Sequence, residues 1–166
     1  MKHDAYKRST FVWLAIIALL SLPAIGWAQQ PKKDKKAQIK TIVEAQNYVF
    51  KAQTALPTAG STRQLTSDFD FRVSKDTIVS DLPYFGRAYT APLNPSEGPL
   101  QFTTTNFQYT VSNNKKGGWN VTIAPKDLTD PREMILTIFD NGSASMVVNS
   151  NNRQPISFNG YVTEKK

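Results

Sequence analysis

Residues 65–73 read LTSDFDFRV and alternate apolar and polar side chains more regularly than any other part of the chain. Successive side chains of a β-strand point to opposite faces, so the two phenylalanines and Val73 share one face and the charged residues share the other. The stretch therefore predicts a half-buried β-strand. We expect its charged residues, Asp68, Asp70 and Arg72, to form an ordinary solvated stripe rather than a metal or acid/base pair.

The same period of two recurs on both sides of this stretch. Alternating segments cover residues 48–56, 77–82, 107–111, 119–123, 134–139, 144–149 and 156–162. Turn residues separate several of them, including Lys75-Asp76 and Asp140-Asn141-Gly142. Ahead of the strands, residues 34–47 are rich in Lys, Gln, Glu and Ala and carry apolar residues at helical spacing. The fold class predicted is mainly β, with about eight short antiparallel strands and one N-terminal α-helix.

Strands joined by such turns must hide their edges by closing into a barrel or by packing as a sandwich. We favour a small antiparallel β-barrel, because a terminal helix can cover one of its open ends. Barrels of this size are either filled by their own side chains or hold one small ligand. The pattern alone leaves those two alternatives open.

The first 28 residues have the three parts of a cleavable signal peptide. A basic start precedes an apolar run at residues 11–22, and Gly26-Trp27-Ala28 offers small residues for cleavage after Ala28. The run is shorter than the roughly 20 residues that a membrane-spanning helix needs. We predict an exported protein, periplasmic or secreted, whose residues 29–166 form a single domain. With no cysteine to carry a lipid, no stable membrane anchor is expected after cleavage.

Composition limits the chemistry. The chain has no cysteine, and its only histidine, His3, lies in the predicted signal peptide. Ser-His-Asp and Cys-His nucleophile systems and Cys/His zinc sites are therefore excluded from the mature domain. Carboxylate pairs remain chemically available, but Asp127 and Asp130 flank a turn and are expected to cap the backbone. We predict that the protein is not an enzyme and has no cofactor or metal.

The net charge falls from +7 to +5 when the signal peptide, with Lys2, Asp4, Lys7 and Arg8, is removed. Much of the remaining excess lies in the lysines of residues 32–40. Such a run is typical of a solvated helix face, and no nucleic-acid recognition motif accompanies it. No nucleic-acid partner is expected.

Residues 82–89 read LPYFGRAY and precede a proline-rich loop, and Asn152-Arg153 precedes the last alternating segment. Together with Trp119 ahead of a short strand, these features resemble the exported Bacteroidetes proteins grouped as domain of unknown function 4251. The resemblance covers nearly all of the mature chain and implies a lipocalin-like β-barrel. It implies no activity, so no residue role is transferred from it.

The LPYFGRAY segment has two interpretations. Tyr84, Phe85 and Tyr89 are rings, two of them with polar ends, and Arg87 offers a planar set of donors suited to carboxylate or phosphate. They would form a lip for a small amphipathic or anionic ligand, with Arg153 as a further anion ligand. Alternatively, the rings cap the barrel, Arg87 pairs with an acid such as Asp81, and Arg153 is an exposed loop residue.

These interpretations correspond to two functions. In the first, the protein is a small-ligand-binding β-barrel module. In the second, it is a non-enzymatic structural or protein-interaction domain of the cell envelope with a solid core. The identity of a ligand and the oligomeric state are left open.

Overall fold

The structure is a computed structural model that describes residues 30–89, 98 and 100–165. The predicted signal peptide and most of the proline-rich loop after Tyr89 lie outside the described residues. Within the described part, no helix has both the length and the apolar character needed to cross a bilayer.

One helix and nine strands make up the described chain. They are α1 Gln30–Glu44, β1 Tyr48–Pro57, β2 Arg63–Val73, β3 Ile78–Leu82, β4 Leu100–Thr104, β5 Phe107–Asn113, β6 Trp119–Pro125, β7 Glu133–Ile138, β8 Ser143–Asn149 and β9 Ile156–Glu164. The strands form one antiparallel sheet in the order β4-β3-β2-β1-β9-β8-β7-β6-β5. The sheet curls into a nearly closed barrel, which confirms the predicted fold class.

The ninth strand, β4, was not predicted. Its sequence, LQFTT, is short and its third inward position is Thr104, which is buried although it is polar. Threonine also stands on either side of Thr104. The alternation of apolar and polar residues that indicates a half-buried strand is therefore weak here. The segment is held as a strand by its pairing with residues 78–82 of β3.

The core lies inside the barrel and is built from the inward-facing side chains of the strands. The largest fully buried side chains are Tyr48, Phe50, Phe71, Phe158, Ile78, Leu82, Ile123, Met134, Leu136, Ile138, Met146 and Ile156. Helix α1 adds Ile39, Ile42 and Val43 to the same core. Its polar side also contacts the β7–β8 turn, where Lys36 Nζ lies 2.9 Å from Asp140 Oδ2. The predicted helix is thus confirmed, and its apolar side packs against the core of the barrel.

The sheet is irregular where β1 meets its two neighbours. Between Ala52 and Thr54, one extra residue of β1, Gln53, has no partner on β9. On β2, residues 65–68 have no partner on β1, and the pairing of β2 with β3 begins only at Asp70. A bulge bends its strand and redirects nearby side chains. This one opens a hollow on the outer surface of the barrel.

Candidate functional site

Two distant parts of the chain meet beside the barrel. Residues 84–89, which follow β3, lie along residues 152–154 of the β8–β9 connection, and we call these two segments together the clasp. Ala88 and Arg153 form an isolated antiparallel bridge. The Tyr89 amide donates to the Asn152 carbonyl at 2.8 Å, and the Gln154 amide donates to the Arg87 carbonyl at 3.0 Å. The structure thus brings the LPYFGRAY segment and Arg153 together, as the ligand-lip interpretation required.

Tyr84 fixes the bend of the clasp. Its hydroxyl lies 2.9 Å from the Gln154 carbonyl oxygen and 3.1 Å from that of Arg87, so its single proton is shared between two acceptors. Partial burial raises the pKa of this hydroxyl. At Gly86 a Cβ atom would collide with the Tyr84 hydroxyl, so glycine lets this hydroxyl lie close to the bend. Tyr84 therefore holds the backbone in place.

Arg153 is part of a buried ion pair. Its Nη1 lies 3.2 Å from Oδ2 of Asp130, and the two side chains are only 14% and 9% exposed. The other carboxylate oxygen of Asp130 accepts hydrogen bonds from the Ser150 hydroxyl and the Asn151 amide. The guanidinium carbon of Arg153 also lies 5.8 Å from the centre of the Tyr84 ring. The alternative of Arg153 as an exposed loop residue is wrong, because its contacts with Asp130 and with the Tyr84 ring leave the side chain only 14% exposed.

Asp130 has a different role from the one expected. The turn position predicted a local backbone cap, but Asp130 accepts from residues 150 and 151 and pairs with Arg153, so it ties the β6–β7 connection to the β8–β9 connection. Nothing local in the sequence could have indicated this, since the partners come from another loop. Burial of the pair makes it a structural element of the clasp.

Phe85 belongs partly to the core. Its ring packs against the buried cluster, and the guanidinium carbon of Arg63 lies 4.8 Å from the ring centre. This cation–π contact covers the outer face of the ring. Phe85 thus fastens the clasp to the beginning of β2.

Arg87 and Tyr89 are the two candidate residues that point outward. Both are exposed, Tyr89 to 67%, and Arg87 forms no ion pair with any residue in the described ranges. The predicted pair between Arg87 and Asp81 is wrong, because Asp81 instead accepts a 2.8 Å hydrogen bond from the Gln101 amide on the neighbouring strand. The two residues stand on either side of Ala88, which forms the bridge to Arg153, so both exposed side chains belong to the same short stretch of the clasp.

A family profile matches the part of the sequence that forms the barrel and the clasp. The profile, described as a domain of unknown function, DUF4251, matches residues 30–162. The chain belongs to this family. The family's description names no activity, so the roles of the clasp residues rest on their geometry. The resemblance drawn from the sequence is confirmed.

A solved member of the family has a similar fold. The crystal structure of a DUF4251 family protein from Bacteroides eggerthii is 17% identical and superposes with a TM-score of 0.57, covering 79% of this chain and 88% of that one. At this level of identity the likeness concerns the fold alone. No curated protein matches the chain.

Asp70 is a buried carboxylate that the sequence did not reveal. It is 4% exposed, and its Oδ2 lies 3.1 Å from Lys51 Nζ and 3.0 Å from Arg72 Nη2, while Oδ1 has no partner. The expectation of a solvated stripe is wrong at this position, because Lys51 on β1 stands directly opposite and covers it together with Arg72. Across the described residues, no three acidic or histidine side chains converge on a point where a metal would bind.

Proposed function

We propose that the protein is an exported, non-enzymatic interaction domain with a solid core, which binds its partner through the outer face of the clasp. One observation carries this proposal. Strands from all around the described barrel contribute large side chains to one packed interior, including four aromatic residues with no exposure: Tyr48, Phe50, Phe71 and Phe158. Space filled by these side chains cannot also hold a ligand.

The clasp is suited to recognition because it is rigid. Its backbone is hydrogen-bonded on both sides of Ala88, and its inner side chains are held by the core and by the Asp130–Arg153 pair. A surface that is ordered before binding loses little conformational entropy on complex formation. Arginine and tyrosine are the residue types that most often dominate binding energy at protein interfaces. Arg87 and Tyr89 therefore form the proposed contact.

The test compares the wild-type protein with an Arg87→Ala/Tyr89→Ala double variant in native envelope preparations. We expect chemical crosslinking and mass spectrometry to recover one protein partner with the wild type and at least tenfold less with the double variant. The exposed Arg132→Ala variant is the control for loss of a positive charge elsewhere, and it should recover the partner normally. Both variants should keep the thermal unfolding midpoint, because the altered side chains are exposed.

A second measurement tests the solid core. A fluorescent fatty acid, 11-dansylaminoundecanoic acid, gains emission when it enters an apolar barrel. We expect no saturable binding. Saturable uptake near one molecule per chain would contradict the solid-core proposal and would indicate that the barrel interior opens.

The exposed pair at the clasp also supports a second candidate, a small-ligand-binding module. Arg87 can bind a carboxylate or phosphate through two parallel hydrogen bonds while Tyr89 packs against the apolar part of the same ligand. Native mass spectrometry of the mature protein distinguishes the candidates. A small adduct that is released on denaturation and is absent from the double variant favours the ligand module, whereas a complex with another chain favours the interaction domain.

A further inference from the structure

A hollow on the outer surface lies where the sheet is irregular, away from the two segments of the clasp. It has a volume of about 550 Å³ and is lined by β1, β2 and β9 around the unpaired residues 65–68. That volume lies within the range of about 300–1,000 Å³ that is usual for small-molecule sites. Bulges of this kind are over-represented next to functional sites.

The lining combines an exposed aromatic residue with several polar residues. Tyr161 on β9 is 43% exposed and borders the hollow. The polar residues are Gln53, Gln64, Thr66, Ser67 and Asp68, and the less exposed Ala52, Leu65 and Phe69 complete this part of the lining. Lys51 also borders the hollow, but its ammonium group pairs with the buried Asp70. The hollow therefore offers many donors and acceptors and no unpaired positive charge among the described residues.

A row of uncharged polar side chains leads away from the hollow across the sheet. Its members stand opposite one another on six neighbouring strands, from β2 through β1, β9, β8 and β7 to β6: Gln64, Thr54, Asn159, Ser145, Thr137 and Asn120. At about 4.8 Å between strands the row is about 24 Å long. On β6, β7 and β8 the members of the row stand between two buried neighbours, so the row lies on the outer face of the barrel.

Two hydrogen bonds inside the row orient two of its three amides. Thr54 donates to the side-chain oxygen of Gln64 at 3.1 Å, and Thr137 donates to that of Asn120 at 3.2 Å. The NH₂ groups of Gln64 and Asn120 have no partner among the described residues, and each amide oxygen can accept one further hydrogen bond. The row thus presents both donors and acceptors to the outside.

Charged residues are sparse on the four strands that carry most of this row, β6 to β9. The whole chain is 20% charged, yet on β5 to β9 only Glu133 and Glu164 are charged and there is no lysine or arginine. On β5 to β9 the outer face therefore offers a ligand mainly amides and hydroxyls, and the charged side chains of Lys51 and Asp68 lie at the hollow. Those amides and hydroxyls match a ligand that carries many neutral hydroxyl groups, each of which both donates and accepts.

From these observations we propose that the hollow and the row bind a neutral oligosaccharide. One sugar ring stacks its apolar face on Tyr161 inside the hollow, Gln53, Gln64 and Asp68 bond its hydroxyls, and the following sugars lie along the row. β-Barrels of other families bind oligosaccharides on a comparable strand face. This inference is independent of the proposed function, because it uses the outer face of β1, β2 and β9 and not the clasp.

Native affinity gel electrophoresis tests the proposal. The mature protein is run through gels that contain dextran, a soluble β-1,3-glucan, xyloglucan or galactomannan, and through gels with polygalacturonate or no polysaccharide. We expect at least one neutral polysaccharide to retard the protein. Tyr161→Ala should weaken that binding about tenfold, as expected for the loss of a stacking ring, and Gln64→Leu should also weaken it. The control Tyr89→Ala removes an exposed tyrosine of the clasp and should leave retardation unchanged.

Several outcomes overturn the proposal. They are no retardation in any of the four neutral gels, retardation by polygalacturonate alone, which would reflect the positive net charge, and unchanged retardation of Tyr161→Ala. If Tyr161→Ala unfolds at a clearly lower temperature, Gln64→Leu decides the matter. A dimer that Tyr161→Ala converts to a monomer, without any retardation, would assign this face to a second copy of the chain. Because the clasp variants and the hollow variants differ, failure of one proposal leaves the other intact.

Discussion

The buried ion pair between Asp130 and Arg153 offers a direct test of how the clasp is held. The informative change is Arg153→Met, which keeps an unbranched apolar side chain about as long as the stem of arginine and removes the guanidinium group with its charge and donors. In the variant, Asp130 stays buried, with one carboxylate oxygen satisfied by Ser150 and Asn151 and the other left without its cation.

The expected loss of stability follows from those contacts. Leaving one partner of a buried pair uncompensated costs about 3–5 kcal/mol, and losing the contact with the Tyr84 ring adds about 0.5–1 kcal/mol. Since Asp130 retains two hydrogen bonds, the lower end applies to the first contribution, and we expect about 4 kcal/mol in total. For a domain of this size, that lowers the thermal midpoint by roughly 16 °C.

Urea unfolding followed by circular dichroism measures the effect. The control is Arg132→Ala at an exposed position, and it should change the free energy of unfolding by less than about 0.5 kcal/mol. The double variant Asp130→Asn/Arg153→Met should lose about 1–3 kcal/mol less than the sum of the two single changes, because no charge is then left unpaired. A loss below about 1 kcal/mol for Arg153→Met, or strict additivity, would refute a structural ion pair.

Two further predictions concern the barrel itself. At Gly160 a Cβ atom would collide with the backbone carbonyl oxygen of Lys51 on the bulged strand, so Gly160→Ala should cost about 3 kcal/mol in urea unfolding; a value near that of the exposed control Asn159→Ala would contradict this close approach. Burial raises the pKa of Tyr48 well above its ordinary value, and the Tyr109 hydroxyl, 3.1 Å away, raises it further. In the unfolded chain Tyr48 ionises near pH 10, whereas in the folded protein it keeps its proton to a higher pH. The stability that Tyr48 contributes is therefore complete below about pH 10 and is lost as the pH rises above that value. Tyr48→Phe should therefore lose less stability than the wild type between about pH 9 and pH 11, and equal losses in the two proteins would show that Tyr48 is not the responsible group.

The strands and the helix were predictable because their signals are local. A period of two in residues 65–73, or helical spacing in residues 34–47, depends only on which side of one element faces the core. Turn residues between the segments then implied antiparallel neighbours. The exception, β4, shows the limit of this reasoning. A strand whose inward positions include a threonine has too little apolar contrast to be seen before its partner strand is known.

The structure brings the candidate residues together, but their individual contacts were not predictable. Tyr84, Phe85, Arg87, Tyr89 and Arg153 belong to the two segments that form the clasp, and a binding role for them stays a prediction. Which of them face inward depends on contacts between segments far apart in the sequence. Arg153 faces inward because it pairs with Asp130. Arg87 does not pair with Asp81, whose carboxylate accepts a hydrogen bond from Gln101.

The sequence by itself thus determined the mainly β class, the barrel-forming strands and the absence of histidine and cysteine chemistry from residues 29–166, because these follow from local periodicity and composition. Only the tertiary structure decided the burial of Asp70, the Asp130–Arg153 pair and the hollow beside Tyr161. The ion pair depends on how two connections far apart in the sequence approach each other. The burial of Asp70 and the hollow depend on the register between strands, where one unpaired residue such as Gln53 changes which side chains meet. Register is set by the packing of the whole barrel, so no single segment of sequence contains it.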